Sequence, residues 1–374
     1  MQNESSENGS RSLMGAFLDS GFFGIIKQER TFLIFIGIAF FVTGVVFENP
    51  SLAMWIGFMF AGYSAIANDS IQTIGTFLAS NANRKWYVLW LYIGLIFVVT
   101  VSISWFSYSG DVSYQRLTSK GFAESPSSFT FLQIAAPLFL LIITRLRMPV
   151  STTFLILSCF SADLSGIQSM LTKSLAGYFV AFIVAIIVWS LVSRIIKRVF
   201  TGEASFIWVI LQWITSGALW SVWLMQDMAN IAVYLPRQLA TGEFVFFTLF
   251  IFLGLGILFY LRGDRIQQVV TEKSFITDIR SATIVDFVYA FILYYFKVVS
   301  VVPMSTTWVF IGLLAGRELA MSITDKSGHG KPLRKTMRLI GKDVLYAGIG
   351  LLVSIILAIA INPIIKDEIL SMFF

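Results

Sequence analysis

Two short polar patterns each occur twice in this chain, in the same order. The acidic pattern NDSIQ at 68–72 returns as QDMAN at 226–230, and the pattern PVSTT at 149–153 returns as PMSTT at 303–307. In each half the acidic pattern comes first, and the two patterns lie a similar number of residues apart. Order and spacing that repeat together predict an internal duplication of the kind found in membrane transporters.

Asp69 and Asp227 both lie inside long apolar stretches. A carboxylate at such a position costs at least a few kcal/mol, so acidic residues there are candidates for a functional site. The stretch GYSAIAND before Asp69 contains residue types that favour non-helical backbone, and it predicts a broken helix. Unwound carbonyls, carboxylates and amide oxygens suit a small hard cation. The predicted cation ligands are Asn68, Asp69, Gln226 and Asp227.

The Pro-x-Ser-Thr-Thr patterns predict the opposite chemistry. Proline is tolerated in the first turn of a helix, so Pro149 and Pro303 are expected to open helices whose free N–H groups bind an anion. A proline followed by Ser and Thr can also mark a kink whose freed carbonyls the hydroxyls satisfy. The duplication favours the binding interpretation. The predicted oxyanion ligands are the hydroxyls of Ser151, Thr152, Thr153, Ser305, Thr306 and Thr307, with the amides of Gln72 and Asn230.

The elements that position these residues are predicted to be membrane helices. Of the 374 residues, 57% are hydrophobic and 13% are charged, and the mean hydropathy is +0.80, which excludes a water-soluble surface. Apolar stretches of roughly 20 residues, enough to span a bilayer, recur along the chain. We expect an all-α integral membrane protein with about 10–12 transmembrane segments, arranged as two inverted-topology repeats with broken or re-entrant helices.

The predicted organisation follows from the composition along the chain. Its parts are a polar N-terminal segment (1–30), a first membrane repeat (31–193), a basic linker (194–205), a second membrane repeat (206–362) and a C-terminal tail (363–374). No cleaved signal peptide is expected from the first 30 residues. The net charge of +6 collects in loops, near 194–198 and 326–342, and indicates topology with cytoplasmic loops rather than nucleic-acid binding.

The stretch ANDSIQTIGTFLAS at 67–80 resembles the signature of the inorganic phosphate transporter (PiT) family, A-N-D-V-A-N-x-x-G-T. Asn68, Asp69, Gly75 and Thr76 match that signature. Both PxSTT patterns are similar to the family's downstream motif. The resemblance implies a site in which the paired Asp and amide residues, with the Ser and Thr hydroxyls, hold phosphate and the coupling sodium ions or protons.

The chain also departs from the family pattern. Gln72 and Gln226 stand where the family usually has Asn, and Phe154 and Trp308 stand where a His often follows PxSTT. The longer amides keep the same donor and acceptor chemistry but change the reach of the side chain. These departures indicate a divergent member, and a bacterial branch of the family is known as sulfate permeases.

The sequence therefore predicts a secondary transporter (a symporter) of phosphate driven by Na⁺ or H⁺, and not an enzyme. The alternatives are a permease for sulfate or another oxyanion, and a passive channel or a scaffold inactive in transport. The single His329 and the single Cys159 exclude a His-based metal centre and an internal disulfide, and no cofactor is expected besides the coupling ion. The expected surroundings are a lipid bilayer, most simply the bacterial cytoplasmic (inner) membrane, without nucleic acid. The sequence is compatible with a homodimer but does not predict the oligomeric state.

Four further charged residues have competing interpretations. Asp163 and Lys173 flank a Gly/Ser-containing stretch and are expected in a loop. Arg237 is expected to anchor the chain at the membrane interface rather than to face the anion. Asp286, early in an apolar run, either contacts the transport pathway or caps a helix, and the sequence does not choose between the two.

Overall fold

Most of the described chain is helical. The computed structural model describes residues 29–118, 122, 124–145, 150–199, 202–261, 278–324 and 332–373, and it contains no strand in these ranges. The polar N-terminal segment up to residue 28, with the expectation about a signal peptide, lies outside the described residues, as do Pro149 and His329.

The described helices of the predicted first membrane repeat come first along the chain. They are α1 (Arg30–Val46), α2 (Pro50–Ser64), α3 (Ser70–Ser80), α4 (Trp86–Ser107), α5 (Phe131–Arg145) and α6 (Leu164–Val199). The second set is α7 (Phe206–Ala232), α8 (Thr241–Tyr260), α9 (Ile279–Val299), α10 (Thr306–Thr324), α11 (Leu333–Ile361) and α12 (Pro363–Phe373).

Many of these helices have the dimensions of membrane spans. In the described part of the chain, seven are long and apolar enough to cross a membrane: those at Pro50–Ala67, Trp86–Ser107, Leu164–Leu191, Phe206–Ala232, Thr241–Tyr260, Ile279–Val299 and Leu333–Ile361. Two shorter apolar helices, α1 and α5, add to them. The predicted fold class, an all-α protein of many membrane helices, is confirmed.

The outer surface of the helix bundle is apolar. On α4, exposed side chains recur every fourth residue and so form one stripe along the helix. Similar stripes lie on α6. Such surfaces are unfavourable in water and suited to lipid. The stripes consist of Leu91, Leu95, Val99 and Ile103 on α4, and of Phe179, Ile183, Ile187 and Leu191 on α6.

The break expected before Asp69 takes the form of a π-helical turn. Residues Ala65–Asp69 form this turn, and α2 and α3 continue directly from its two ends. A π turn inserts one extra residue per turn without unwinding the chain, and such turns are frequent at functional sites. The expectation of unwound backbone was wrong here, because backbone hydrogen bonds persist through the turn: the Ser70 N–H donates to Ala65 O.

The second acidic pattern lies in an unbroken helix, and the second proline lies outside its helix. Gln226 to Asn230 belong to the last turns of α7. Pro303 precedes the first residue of α10, Thr306, by three positions. The expectation that this proline opens the helix was therefore wrong. Ser305 starts the helix instead, because its Oγ accepts from the Trp308 N–H at 3.2 Å, as an N-cap does.

The predicted linker and tail contain more helix than their composition suggests. Helix α6 continues through Val199, so it includes the first half of the basic linker. The tail forms α12, and the Glu368 carboxylate accepts from the Leu164 N–H at 2.7 Å. This contact places a negative charge at the N-terminus of α6, where the helix dipole stabilises it. It holds α12 against the start of α6.

Two glycines let α6 and α10 approach closely. A Cβ atom added at Gly312 would lie 2.4 Å from the Tyr178 carbonyl oxygen, and one added at Gly316 would lie 2.2 Å from the Phe182 carbonyl oxygen. The spacing of four residues puts both glycines on one face of α10, as in the small-xxx-small contacts of membrane helices. This packing fixes the helix that carries Thr306 against α6.

Other helix contacts recur in both halves. Helix α2 packs against α5, the helix before the first PxSTT pattern, and α7 packs against α9, the helix before the second. Helices α4 and α8 pack against each other. In the first half the helix that leads into the acidic pattern, and in the second half the helix that carries it, thus packs against the helix preceding the PxSTT pattern.

The close approach of α6 and α10 leads to a stability prediction. Gly316→Ala should destabilise the protein by roughly 1–3 kcal/mol, because the added methyl group forces two helix backbones apart. Gly348→Ala on α11 is the matched control, since nothing lies within 4 Å of its added Cβ atom. We expect that control to be neutral or slightly stabilising. Thermal unfolding of the purified variants in detergent measures both, and equal transition temperatures would contradict the tight packing.

Candidate functional site

The first predicted aspartate is paired with the first PxSTT pattern. Asp69 ends the π turn between α2 and α3 and is 2% exposed. Its Oδ2 atom accepts a short hydrogen bond from the Thr152 hydroxyl. Thr152 itself is 3% exposed and opens the short helical segment that continues as the π turn Thr153–Leu157. Two parts of the chain more than 80 residues apart in sequence are joined by this contact.

The second aspartate repeats the arrangement. Asp227 is 2% exposed, and its Oδ2 atom accepts from the Thr306 hydroxyl at 2.6 Å. Its other oxygen accepts from the Asn230 amide at 2.8 Å. The carboxylates of Asp69 and Asp227 lie within electrostatic range of each other. The predicted pairs Asp69 with Thr152 and Asp227 with Thr306 therefore occupy one region of the protein.

Contacts between the two PxSTT segments join the halves. The Thr153 hydroxyl donates to Met304 O at 3.1 Å, and the Asn230 amide lies 3.4 Å from the same hydroxyl. The rings of Phe154 and Trp308 lie 5.7 Å apart between centroids. The positions where a His often follows PxSTT are thus occupied by two aromatic rings that pack against each other.

The two serines act on their own helices. The Ser151 Oγ accepts from the Phe154 N–H at 3.2 Å, as Ser305 does from Trp308. Both serines thus cap helix starts, a role that the oxyanion prediction did not include. Each hydroxyl still carries a proton that can be donated to a ligand, because the cap uses only the oxygen.

Three amide oxygens in this region are buried acceptors. The oxygens of Gln72, Gln226 and Asn230 have no hydrogen-bond partner among the described residues. The Gln226 amide nitrogen donates to Leu293 O at 3.0 Å, which fixes the direction of its oxygen. A buried acceptor without a donor is unfavourable, so these oxygens are suited to a cation or to a ligand that donates.

Among the predicted ligands whose side chains the structure describes, Thr307 and Gln72 make no hydrogen bond within this network. Thr307 is buried in the first turn of α10, 4% exposed, next to Thr306. The side chain of Asn68 lies outside the described residues. No group of three or more His, Cys, Asp or Glu in the described part could hold a metal ion. A cation at the two aspartates would therefore need hydroxyl and amide oxygens as further ligands.

The structure excludes one of the two interpretations of Asp286. The cap of α9 is Asp278, which accepts from the Arg280 and Ser281 N–H groups. Asp286 lies two turns further along the helix with no exposed surface, and it accepts from the Thr76 hydroxyl at 2.6 Å and the Ser216 hydroxyl at 2.5 Å. Thr76 belongs to the stretch that resembles the PiT signature, but the sequence does not reveal its partner in the other half.

The locations of two basic side chains, Lys173 and Arg116, differ from what the sequence led us to expect. Lys173 lies inside α6 and is 9% exposed, so its assignment to a loop was wrong. Arg116, which sequence reasoning did not single out, is 1% exposed. Arg237 donates to four carbonyl oxygens, which agrees with an anchoring role. A cation inside an apolar segment, like Lys173, was the sequence pattern that could have indicated a buried charge.

The comparisons with known proteins bear on the fold. No protein-family model matches the chain, and no curated protein matches it in sequence. A solved structure described as "The sodium-dependent phosphate transporter" superposes with a TM-score of 0.52, at 16% sequence identity, over 84% of this chain and 99% of that chain. The two chains share a fold. Together with the seven apolar helices, this likeness makes the protein an integral, multi-pass membrane protein.

The likeness shows a shared fold and nothing further. It agrees with the prediction that the chain has a phosphate transporter fold. The finer assignment to the PiT family and its sulfate-permease-like branch stays a prediction, as does the inverted orientation of the two halves. The solved neighbour is a transporter rather than an enzyme.

The hydrogen bonds from Thr152 to Asp69 and from Thr306 to Asp227 should contribute to stability, and the neighbouring Thr307 provides a control. Thr306→Val keeps the shape of the side chain but removes the donor to Asp227, so it should destabilise the protein by roughly 1–3 kcal/mol. Thr152→Val should act likewise on Asp69. Thr307→Val changes an equally buried neighbour that has no such bond, and it should cost much less. Thermal unfolding in detergent compares the three, and an equal loss at Thr307 would contradict the assigned role of the bonds.

Proposed function

We propose that this protein is a secondary active transporter that moves inorganic phosphate together with sodium ions or protons. One observation carries the proposal: each acidic pattern is bonded through its aspartate to a threonine of a PxSTT segment, and both pairs are buried in one network. The shared fold with a solved sodium-dependent phosphate transporter supports it. We propose Ser151, Thr152, Thr153, Ser305, Thr306 and Thr307, with Gln72 and Asn230, as the oxyanion ligands.

The electrostatics favour coupling to cations. Two buried carboxylates near each other repel an anion, and sodium ions or protons at Asp69 and Asp227 remove that repulsion. The buried amide oxygens without donors supply further hard ligands of the kind that Na⁺ prefers. Asn68, Asp69, Gln226 and Asp227 are the proposed cation ligands. An anion would then bind well only when the cations are present, which is the requirement for symport.

The helix starts offer donors to the anion. The first N–H groups of α10, at Thr306 and Thr307, have no carbonyl four residues earlier within the helix, and the positive end of the helix dipole lies there. Thr152 and Thr153 provide the same groups in the first half. The Ser151 and Ser305 hydroxyls, whose oxygens only accept in the helix caps, can add donors to a tetrahedral ion without a fixed charge. The Thr152 and Thr306 hydroxyls could do so only by leaving Asp69 and Asp227.

Alternating access would come from one half moving against the other. The two halves contain matching helix pairs, α2 with α5 and α7 with α9, and they meet at the PxSTT segments. Motion of two such units around a shared site is the usual mechanism in transporters built of repeats. A homodimer of this unit is compatible with the proposal but is not required by it.

Phosphate is proposed ahead of sulfate on chemical grounds. At neutral pH phosphate keeps at least one O–H group that can donate to a carboxylate oxygen, whereas sulfate has none. A site rich in acceptors discriminates against an ion that cannot donate. The amides of Gln72 and Gln226 could instead donate to sulfate, so an oxyanion permease of another specificity is the alternative.

Uptake into proteoliposomes tests the proposal directly. Purified protein is reconstituted, and uptake of labelled phosphate and labelled sulfate is measured with a sodium gradient, with a proton gradient and with neither. Phosphate uptake that requires a gradient supports symport. Equal uptake of both ions down their own gradients would indicate a passive channel, and no uptake above empty liposomes would indicate a scaffold.

Removing one carboxylate should uncouple transport. Asp69→Asn and Asp227→Asn keep the side-chain shape but lose the charge that attracts a cation, so gradient-driven uptake should fall to near the background. Asp367→Asn makes the same chemical change at an exposed position on α12 and should leave uptake unchanged. Reconstituted protein of equal amount and unfolding temperature is compared. Near-parental uptake by either site variant would show that its aspartate is structural.

A further inference from the structure

Two buried basic side chains meet on the segment that leads into α10. The Lys173 Nζ atom donates to Ser300 O at 2.9 Å and to Val302 O at 2.5 Å. The Arg116 Nη1 atom donates to the same two oxygens, at 2.6 and 3.4 Å. Because both cations share both acceptors, their positive charges lie side by side in the interior of the protein.

The pair adjoins the second helix start. Ser174 follows Lys173 on α6, and its hydroxyl accepts from the Ser305 N–H at 2.8 Å. The Arg116 Nε atom lies 3.4 Å from Met225 O, near the second acidic pattern, and its guanidinium is within electrostatic range of Asp227. The two charges are thus placed beside the residues proposed to hold the anion.

The loop that carries Arg116 has a strained backbone. Tyr114 and Gln115 adopt φ values of +54° and +61°, a region that residues with side chains rarely occupy. The Asp111 carboxylate fixes this shape by accepting from the Ser113 N–H at 2.8 Å and from the Gln115 N–H at 2.6 Å. Strain that neighbouring bonds impose is found where a side chain must be aimed. Here it directs Arg116 inward.

The two carbonyl oxygens that Lys173 and Arg116 share are neutral, so they add no negative charge between the two cations. Like charges repel strongly in a low-dielectric interior, and each buried cation loses its hydration. The two named carbonyl acceptors leave one of the three N–H bonds of the Lys173 ammonium for another acceptor. Asp227 contributes one negative charge to this region, and it is itself a proposed ligand of a coupling cation. An additional anion nearby would compensate the pair.

We infer that Arg116 and Lys173 form an anion-binding subsite that gives the protein a preference for a doubly charged tetrahedral oxyanion. Guanidinium and ammonium groups form charge-assisted hydrogen bonds with such ions. The inference rests on the proposed function and adds a fixed positive charge to a site whose other donors are neutral. It predicts discrimination by the charge of the anion, which hydroxyls and helix starts alone provide only weakly.

Calorimetry on purified protein at fixed sodium concentration tests the inference, with sulfate, phosphate and perchlorate as probes. All three ions are tetrahedral; at mildly alkaline pH, where the titrations are run, sulfate and most of the phosphate carry two charges, whereas perchlorate carries one. The parent should bind sulfate or phosphate at least about tenfold more tightly than perchlorate. Lys173→Gln and Arg116→Gln should each weaken binding of the divalent ions by roughly tenfold or more and change perchlorate binding little. Lys173→Arg should keep most of the affinity.

Arg237→Gln is the matched control, since Arg237 is another loop arginine, partly buried, that is bonded to carbonyl oxygens. It should alter stability but not the preference for divalent ions. If the glutamine variants at 116 and 173 fold and bind divalent ions as the parent does, the two cations only brace the loop and the inference is wrong, while the proposed function stands. A parent that binds none of the three ions would contradict both.

Binding measurements on the parent protein alone provide a second test of the inference. Equal affinity for sulfate and perchlorate would overturn the inference whether or not any variant folds. Comparison of sulfate with phosphate in the same experiment then identifies which divalent ion the subsite prefers.

Discussion

The requirement that a buried carboxylate receive hydrogen bonds organises the centre of this protein. Asp69 and Asp227 lie in apolar surroundings where an ionised group without donors would be very unfavourable. Each obtains a hydroxyl donor from a PxSTT segment, and these donors come from a distant part of the chain. The helix packing follows from this need, because α10 must be held where Thr306 reaches Asp227. Gly312 and Gly316 allow that by letting α10 approach α6.

The same interior contains an unusual density of polar groups. Asp286 with Thr76 and Ser216 forms a second buried carboxylate cluster, and Arg116 and Lys173 bring positive charge to the segment before α10. In a membrane helix bundle such groups are tolerated where they serve transport or bind one another. Opposite charges near Asp227 would suit the proposed movement of an anion together with cations, because each ion lowers the cost of burying the other.

Structural likeness and local chemistry contribute differently to this interpretation. The likeness to a solved sodium-dependent phosphate transporter covers most of both chains, but at 16% identity it concerns the fold. Specificity depends on individual side chains, and several differ from the pattern of the family that the sequence resembles. Gln72 and Gln226 change the reach of two amides, and Phe154 packs on Trp308 where a His is often found. These positions, with the two buried cations, are where the choice of anion is expected to be made.

The sequence by itself determined the class of the protein and the positions most worth examining. Apolar stretches long enough to span a bilayer fix the helical membrane fold, because backbone groups in lipid must be bonded within the segment. The repeated patterns selected Asp69, Asp227 and the PxSTT residues, whose roles as ligands stay a prediction. Tertiary structure alone decided the partners: which threonine meets which aspartate, that Asp286 is buried with Thr76, and that Lys173 and Arg116 converge on Ser300. Contacts between residues far apart in sequence depend on how the helices pack. Hydrophobic periodicity predicts the helices themselves but not which helix packs against which.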